Sequence, residues 1–187
     1  MRIIAGKHRG RPLAAPVGEA VRPTSDRARE ALFNILAHGK FAVSGPAYAG
    51  ARVLDGFAGT GAFGLEALSR GAAFSVFVEN NRVALTALRQ NIATLGEAAR
   101  TQIVSGDATA PPRALAPCDL VFLDPPYRSG QAAPALAALA QAGWVAPGAV
   151  VTVELAHNED IVPPVGFAAI DERRYGAAKI VILRHAS

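Results

Sequence analysis

The sequence is poor in cysteine, histidine and charge. Cys118 is its one cysteine, so no internal disulfide can close, and four scattered histidines (His8, His38, His157, His185) lack the spacing of a structural zinc site. These absences suit a reducing compartment, the cytoplasm, and no bound metal. Long apolar runs are missing too. Met1 to Lys7 is too briefly apolar for the core of an export signal. The longest uncharged stretch, residues 129–153, is mostly alanine, interrupted by Pro134, Gln141, Gly143 and Pro147-Gly148. It reads as a helix, a turn and a strand, and no membrane contact is expected. What is abundant is apolar material: 51% of 187 residues are hydrophobic and 18% charged, which excludes a largely disordered chain and fits one core.

The net charge of +4 is unevenly placed. Residues 1–40 hold eight Lys/Arg against three Asp/Glu, whereas residues 41–187 hold eleven against twelve. Arg2, Lys7, Arg9 and Arg11 meet no acid before Glu19, a pattern that suits a polyanion such as nucleic acid and equally a solvated surface. Gly6 and Gly10 make the start a short hairpin or extended arm. Thr24 or Ser25 can cap a helix after Pro23, with Ala28, Ala31, Leu32, Ile35 and Leu36 as its apolar stripe. The expected organisation is therefore a basic arm and helix over residues 1–40 and an α/β domain over residues 41–187.

From Arg52 onward, strand-like runs alternate with helical patterns. Strands are expected at Arg52 to Asp55, Ser75 to Glu79, Gln102 to Val104, Asp119 to Asp124 and Ala149 to Glu154, with helices near Gly64 to Ser69, Arg82 to Leu95 and Gln131 to Gln141. Such alternation builds a parallel sheet covered on both faces. Phe167 to Arg174 and Lys179 to Arg184 are joined by only four residues, too few for a crossover helix, so they should form an antiparallel hairpin at the sheet edge. Seven strands result.

Asp55 to Gly64 lies between the first strand and its helix. Gly59, Gly61 and Gly64 have the G-x-G-x-x-G spacing that brings backbone close to a ligand and helix close to strand. Glu79, at the end of the next strand, can hold both hydroxyls of a ribose, so an adenosine-containing cofactor is expected. Asp55 would repel a pyrophosphate but attract the sulfonium and ammonium of S-adenosylmethionine. Asp107, after the third strand, can accept from an adenine amino group.

Leu120 to Leu123 reads as a central strand ending in Asp124-Pro125-Pro126-Tyr127 at the carboxyl edge, where such sheets bind ligands. Neither proline carries an N–H, so the turn presents the Asp124 carboxylate and the Pro125 carbonyl as neighbouring acceptors. Together they match the two N–H groups of one exocyclic amine, whose lone pair would then point at the methyl group. Tyr127 can stack on the base, which must be flipped out if paired. The four residues accept adenine or guanine alike.

These residues resemble the class I S-adenosylmethionine-dependent amino-methyltransferases. Met1-Arg2-Ile3-Ile4-Ala5-Gly6 with Arg9-Gly10-Arg11, then Arg22-Pro23-Thr24-Ser25-Asp26-Arg27 with Arg29 to Asn34, and Gly64 to Gly71 resemble more narrowly the RsmD-type 16S ribosomal RNA guanine-N2 methyltransferases. The resemblance covers nearly the whole chain. It implies a single Rossmann-like domain, S-adenosylmethionine as donor, and 16S rRNA of the small ribosomal subunit or its assembly intermediate as substrate, acted on by a monomer. It further implies that Asp55, Gly56, Phe57, Ala58, Gly59, Thr60, Gly61, Glu79 and Asp107, with the neighbouring Asn80 and Ala108, hold the cofactor. Asp124, Pro125, Pro126 and Tyr127 would hold the guanine. Arg2, Lys7, Arg9, Arg11, Arg22, Thr24, Arg27, Arg29 and Arg128 would contact RNA. Gly56 and Asn81 depart from the family pattern, which has an apolar residue and commonly an aspartate there. An adenine-N6 methyltransferase on DNA or RNA, or a non-catalytic RNA-binding assembly module, are the alternative readings.

Overall fold

A computed structural model describes residues 1–15, 26–38, 41 and 45–186. Its elements are α1 (Asp26–Ala37), β1 (Arg52–Gly56), α2 (Ala62–Ser69), β2 (Phe74–Glu79), α3 (Arg82–Leu95), β3 (Thr101–Ser105), β4 (Cys118–Leu123), α4 (Ala132–Gln141), β5 (Val145–Ala156), β6 (Phe167–Tyr175) and β7 (Ala178–His185). The seven strands form one sheet in the order β3-β2-β1-β4-β5-β7-β6. The first five are parallel; β7 runs antiparallel between β5 and β6, so the expected edge hairpin is present. No helix among the described residues is long and apolar enough to cross a membrane.

Alternation along each strand divides the core in two. Val53, Phe77, Leu120, Phe122, Val150 and Ile182 face α1, α2 and α3. Leu54, Val76, Val121, Leu123, Val151 and Leu183 face α4. On the first face Phe122 is the central contact, with Phe33 of α1 and Phe63 of α2 at ring distances of 5.5 and 5.1 Å. The second face has fewer helices because the segment between β3 and β4 contains Pro111, Pro112 and Pro117 and forms no helix. The Trp144 indole N–H ties that segment down by donating to the Pro112 carbonyl at 2.7 Å. Cys118 is buried, and burial pushes its thiol up to about 12, as suits a small apolar core residue.

The caps follow the residue types. Asn81 accepts from the Val83 and Ala84 amides at the start of α3, and Gly96 takes the left-handed conformation at its end. Asparagine caps a helix as well as aspartate does, so the departure at Asn81 keeps the cap. The departure at Gly56 has a packing reason: a Cβ there would lie 2.7 Å from Leu123 Cδ2. β5 begins at Val145 rather than at the expected Ala149, because Pro147-Gly148 falls in a bulge, between the pairs Cys118↔Val145 and Leu120↔Val150.

The arm is a hairpin, with Arg2 bridging to Pro12, laid across α2 and α3. Ile3 and Leu13 enter the core, and the rest is held by side chains from far along the chain. Fully buried Glu66 accepts from the Ile4 and Ala5 amides at 2.8 and 3.0 Å and from Arg70 Nε at 2.6 Å. Ser69 Oγ accepts from the His8 amide and donates to the Ala5 carbonyl, and Asn91 exchanges two hydrogen bonds with Ala14. One expected RNA contact is corrected here. Arg29 is fully buried; its Nη2 donates to the Arg2 carbonyl at 2.6 Å and to Asp26 Oδ1 at 2.9 Å, so it fastens α1 to the arm and cannot reach RNA. Arg22, Thr24 and the expected cap at Thr24 or Ser25 lie outside the described residues.

Removing the Glu66 carboxylate strands two amides and takes the counter-charge from Arg70 and from Arg29, whose Nε lies 4.0 Å from Glu66 Oε2. Glu66→Ala is expected to lower stability in urea by about 3 kcal/mol. Amide exchange at Ile4 and Ala5 should rise more than exchange in β1 and β4, the signature of a released arm.

Candidate active site

The parallel strands bring their carboxyl ends to one edge, where the loops after β1, β2, β3 and β4 meet. The alternation that points Val53 and Phe77 to the first face assigns Asp55 and Glu79 to it as well. Asp55 is fully buried and accepts from the Gly64 amide at 2.8 Å. Burial is the main cause that pushes its carboxyl up to about 8, against the lowering effect of the Gly64 amide and with Glu79 adding repulsion. At neutral pH it therefore holds a proton that a neighbouring cation would displace.

Gly61 and Gly64 are glycines for want of space. A Cβ on Gly61 would lie 2.5 Å from Leu88 Cδ1, and one on Gly64 would lie 2.4 Å from both Phe77 Cε1 and Ser75 Oγ. Glu79 knits the loop to the next strand: Oε2 accepts from the Gly59 amide at 2.7 Å, and Oε1 from the Asn80 and Asn81 amides at 2.9 and 2.7 Å. Oε2, with one bond, retains acceptor capacity for a hydroxyl. Beyond β3, Asp107 Oδ1 accepts from the Thr109 amide and hydroxyl, both at 2.8 Å, and these bonds hold its exposed carboxyl below the usual carboxylate range. Ala108 is buried beside it. Thr60 is buried and its carbonyl accepts from Asn91; Phe57 and Ala58 complete the loop.

Asp124 to Tyr127 follows β4 directly. Pro125 is buried, Asp124 and Tyr127 are half-buried, and Pro126 is exposed. The Tyr127 hydroxyl donates to Glu154 Oε1 at 2.8 Å, and the Arg128 amide donates to Glu159 Oε2 at 3.0 Å, so the turn is fastened to the end of β5 and the segment after it. Phe57 and Arg128 are the two non-glycine residues with positive φ among the described ones, at 62° and 58°, and both stand in loops at this edge. Backbone strain of that kind costs on the order of 1–3 kcal/mol per residue and collects at functional sites.

The sequence reading missed three residues. Glu154 reads only as the last residue of an apolar strand. Arg82 and Arg89, exposed on α3, line a cleft of about 500 Å³ with Asn80, Leu85, Thr86, Ser105 and Gly106. Their spacing of seven, one face of a helix, was the available signal. Among the described residues neither pairs with a carboxylate, and α3 carries no acidic residue. The basic tip of the arm lies at the other end of α3, where Arg11 Nη2 donates to the Thr94 carbonyl. Fourteen helical residues separate the tip from the edge, roughly 20 Å. Arg2, Lys7, Arg9, Arg11, Arg27 and Arg128 are exposed, Arg2 and Lys7 forming ion pairs with Asp26 and Glu97. Among the described residues no group of three His, Cys, Asp or Glu side chains could hold a metal ion.

The sequence profile of a family described as Conserved hypothetical protein 95 matches residues 1–184. Ribosomal RNA small subunit methyltransferase D of Escherichia coli (strain K12) is 41% identical over 155 residues, which is 82% of this chain and 74% of that one. The protein of the same name from Haemophilus influenzae is 34% identical over 180 residues, 94% of this chain and 89% of that one. A solved structure of a candidate methyltransferase from Escherichia coli superposes with a TM-score of 0.83 at 37% identity, covering 100% of this chain and 98% of that one. The fold is that of the class I methyltransferases, and the chain belongs to the Conserved hypothetical protein 95 family, which includes the ribosomal RNA small subunit methyltransferase D proteins.

Proposed function

We propose that this chain transfers a methyl group from S-adenosylmethionine to the exocyclic N2 amine of a guanine in 16S rRNA, acting as a cytoplasmic monomer on the small ribosomal subunit or its assembly intermediate. The observation that carries the reading is the pairing of two loops on adjacent strands. Asp55, buried on the glycine loop, ends β1, and Asp124-Pro125-Pro126-Tyr127 ends β4. The family relatives named for small-subunit rRNA support the substrate class.

The residues suit the donor. Asp55 offers a negative charge where the sulfonium and ammonium lie in this reading, Glu79 offers acceptors for the ribose, and Asp107 one for the adenine amine. Asn80 and Ala108 would help to hold the adenosine. When bound, S-adenosylmethionine supplies a methyl carbon already activated by its positive sulfur. The chain's own work is on the acceptor. Asp124 and the Pro125 carbonyl take the two N–H groups of the guanine amine, free its lone pair from the ring and aim it at the methyl group. Tyr127 stacks on the base, and the proton leaves the amine as or after the new bond forms. Positioning and exclusion of water supply the rate, with no strong base. Arg2, Lys7, Arg9, Arg11, Arg27 and Arg128 take phosphates, joined by Arg82 and Arg89 on α3. Arg22 and Thr24 belong to the same proposed RNA surface.

Small subunits from a strain lacking the modification, incubated with labelled donor and then digested, should yield N2-methylguanosine at one nucleotide. N6-methyladenosine in its place would overturn the reading, and so would RNA binding without release of S-adenosylhomocysteine. Asp124→Ala should lower kcat on the order of 10²- to 10³-fold. Because Asp55 holds its proton up to about pH 8, donor binding at pH 7 should release close to one proton, measured by calorimetry in buffers of different ionisation enthalpy. Affinity should therefore rise as pH is raised toward 8 and level off above it. Arg9→Ala, changing an exposed arm residue, should reduce the salt slope of RNA binding by about 0.7 to 0.9.

A further inference from the structure

Neither Asp124 nor the Pro125 carbonyl distinguishes guanine from adenine, since each purine offers one exocyclic amine. The difference lies in the neighbouring ring nitrogen. In guanine N1 carries a hydrogen beside the C2 amine; in adenine N1 is an acceptor beside the C6 amine. A residue that selects guanine at this turn must accept a hydrogen bond next to Asp124.

Glu154 meets that requirement by position. The ladder pairs Leu123 of β4 with Val153 of β5, so Asp124, directly after β4, lies beside Glu154, within the last three residues of β5, on strands about 4.8 Å apart. Val150 of β5 lies on the face of α1 to α3 while Val151, Val153 and Leu155 lie on the other, which assigns Glu154 to the same face as Asp55 and Asp124. Glu79, Asp55, Asp124 and Glu154 thus lie at or near the carboxyl ends of four consecutive strands of one sheet, on one side. Glu154 is 5% exposed, and its Oε1 accepts from the hydroxyl of Tyr127, the residue placed to stack on the base. An ionised carboxylate accepts and never donates, and its two oxygens together accept about four hydrogen bonds.

We propose that Glu154 reads the base: its carboxylate accepts the N1–H of the guanine whose amine is held by Asp124 and Pro125, while adenine meets it lone pair to lone pair and is refused. Tyr127 fixes the orientation of that carboxylate. This assignment rests on the proposed guanine-N2 reaction and explains how a turn that suits either purine acts on one.

The test uses the full chain and small subunits reconstituted with 16S rRNA carrying either guanosine or 2-aminopurine riboside at the methylated position. 2-Aminopurine keeps the C2 amine but has an acceptor at N1. The wild-type chain should prefer guanosine by on the order of 10²-fold in kcat/KM. Glu154→Gln keeps an oxygen for the Tyr127 hydroxyl and adds an N–H donor facing N1. It should lose a similar factor on guanosine and gain on 2-aminopurine, reducing the preference to a few-fold or reversing it. Unchanged heat of S-adenosylmethionine binding verifies that the variant is folded. Equal rates of the wild-type chain on the two bases overturn the proposal with no variant needed. So does a Glu154→Gln preference equal to the wild type's, including an equal loss on both bases. A wild-type chain that methylates no guanine amine overturns the reaction itself, a result distinct from these.

Discussion

Burying the Asp55 carboxyl against the Gly64 amide is the constraint around which this edge of the sheet is built. The hydrogen bond requires the first turn of α2 to reach the end of β1, and that approach leaves no room for a side chain at Gly64. From the same turn of α2, Phe63 stacks on Phe122 of β4. The same tightness drives Asp55 toward its neutral form, since a lone carboxylate in so dry a place is costly. A neighbouring positive charge would relieve that cost.

Glu79 with Asp55, and Glu154 with Glu159, form two pairs of acids with different surroundings. Glu79 and Asp55 are bound to backbone amides of the glycine loop and its neighbours, so their geometry is set by the chain itself. Glu154 is held by a side-chain hydroxyl from the turn it serves, and Glu159 holds the strained Arg128 amide of the same turn. The glycine-loop side is thus rigid framework, and the side proposed for the acceptor is a turn with few backbone bonds of its own, pinned from β5. Such a division suits a small donor of fixed shape on one side and a base that must enter from a large polymer on the other.

Much of this was legible in the sequence because parallel strands buried on both faces read as apolar runs, and because Gly96 marks the end of α3 by its chemistry. The glycine loop and the Asp-Pro-Pro-Tyr turn carry their position with them, each directly after such a run. What could not be read was anything that depends on which strands become neighbours. Glu154 looks like an ordinary strand end until β5 is seen beside β4. Arg29, set among exposed helix charges, looked like an RNA contact; its burial depends on the arm folding back over α1. The early start of β5 was hidden by Pro147-Gly148, a turn signal that the structure absorbs in a bulge.

The arm's attachment has a consequence for the order of assembly. Its partners Glu66, Asn91 and Glu97 follow it by 61 to 89 residues. The arm therefore waits, with Ile3 and Leu13 still in water, until α2 and α3 have been synthesised and packed on their strands. The arm's place in the fold is thus set by residues synthesised well after it.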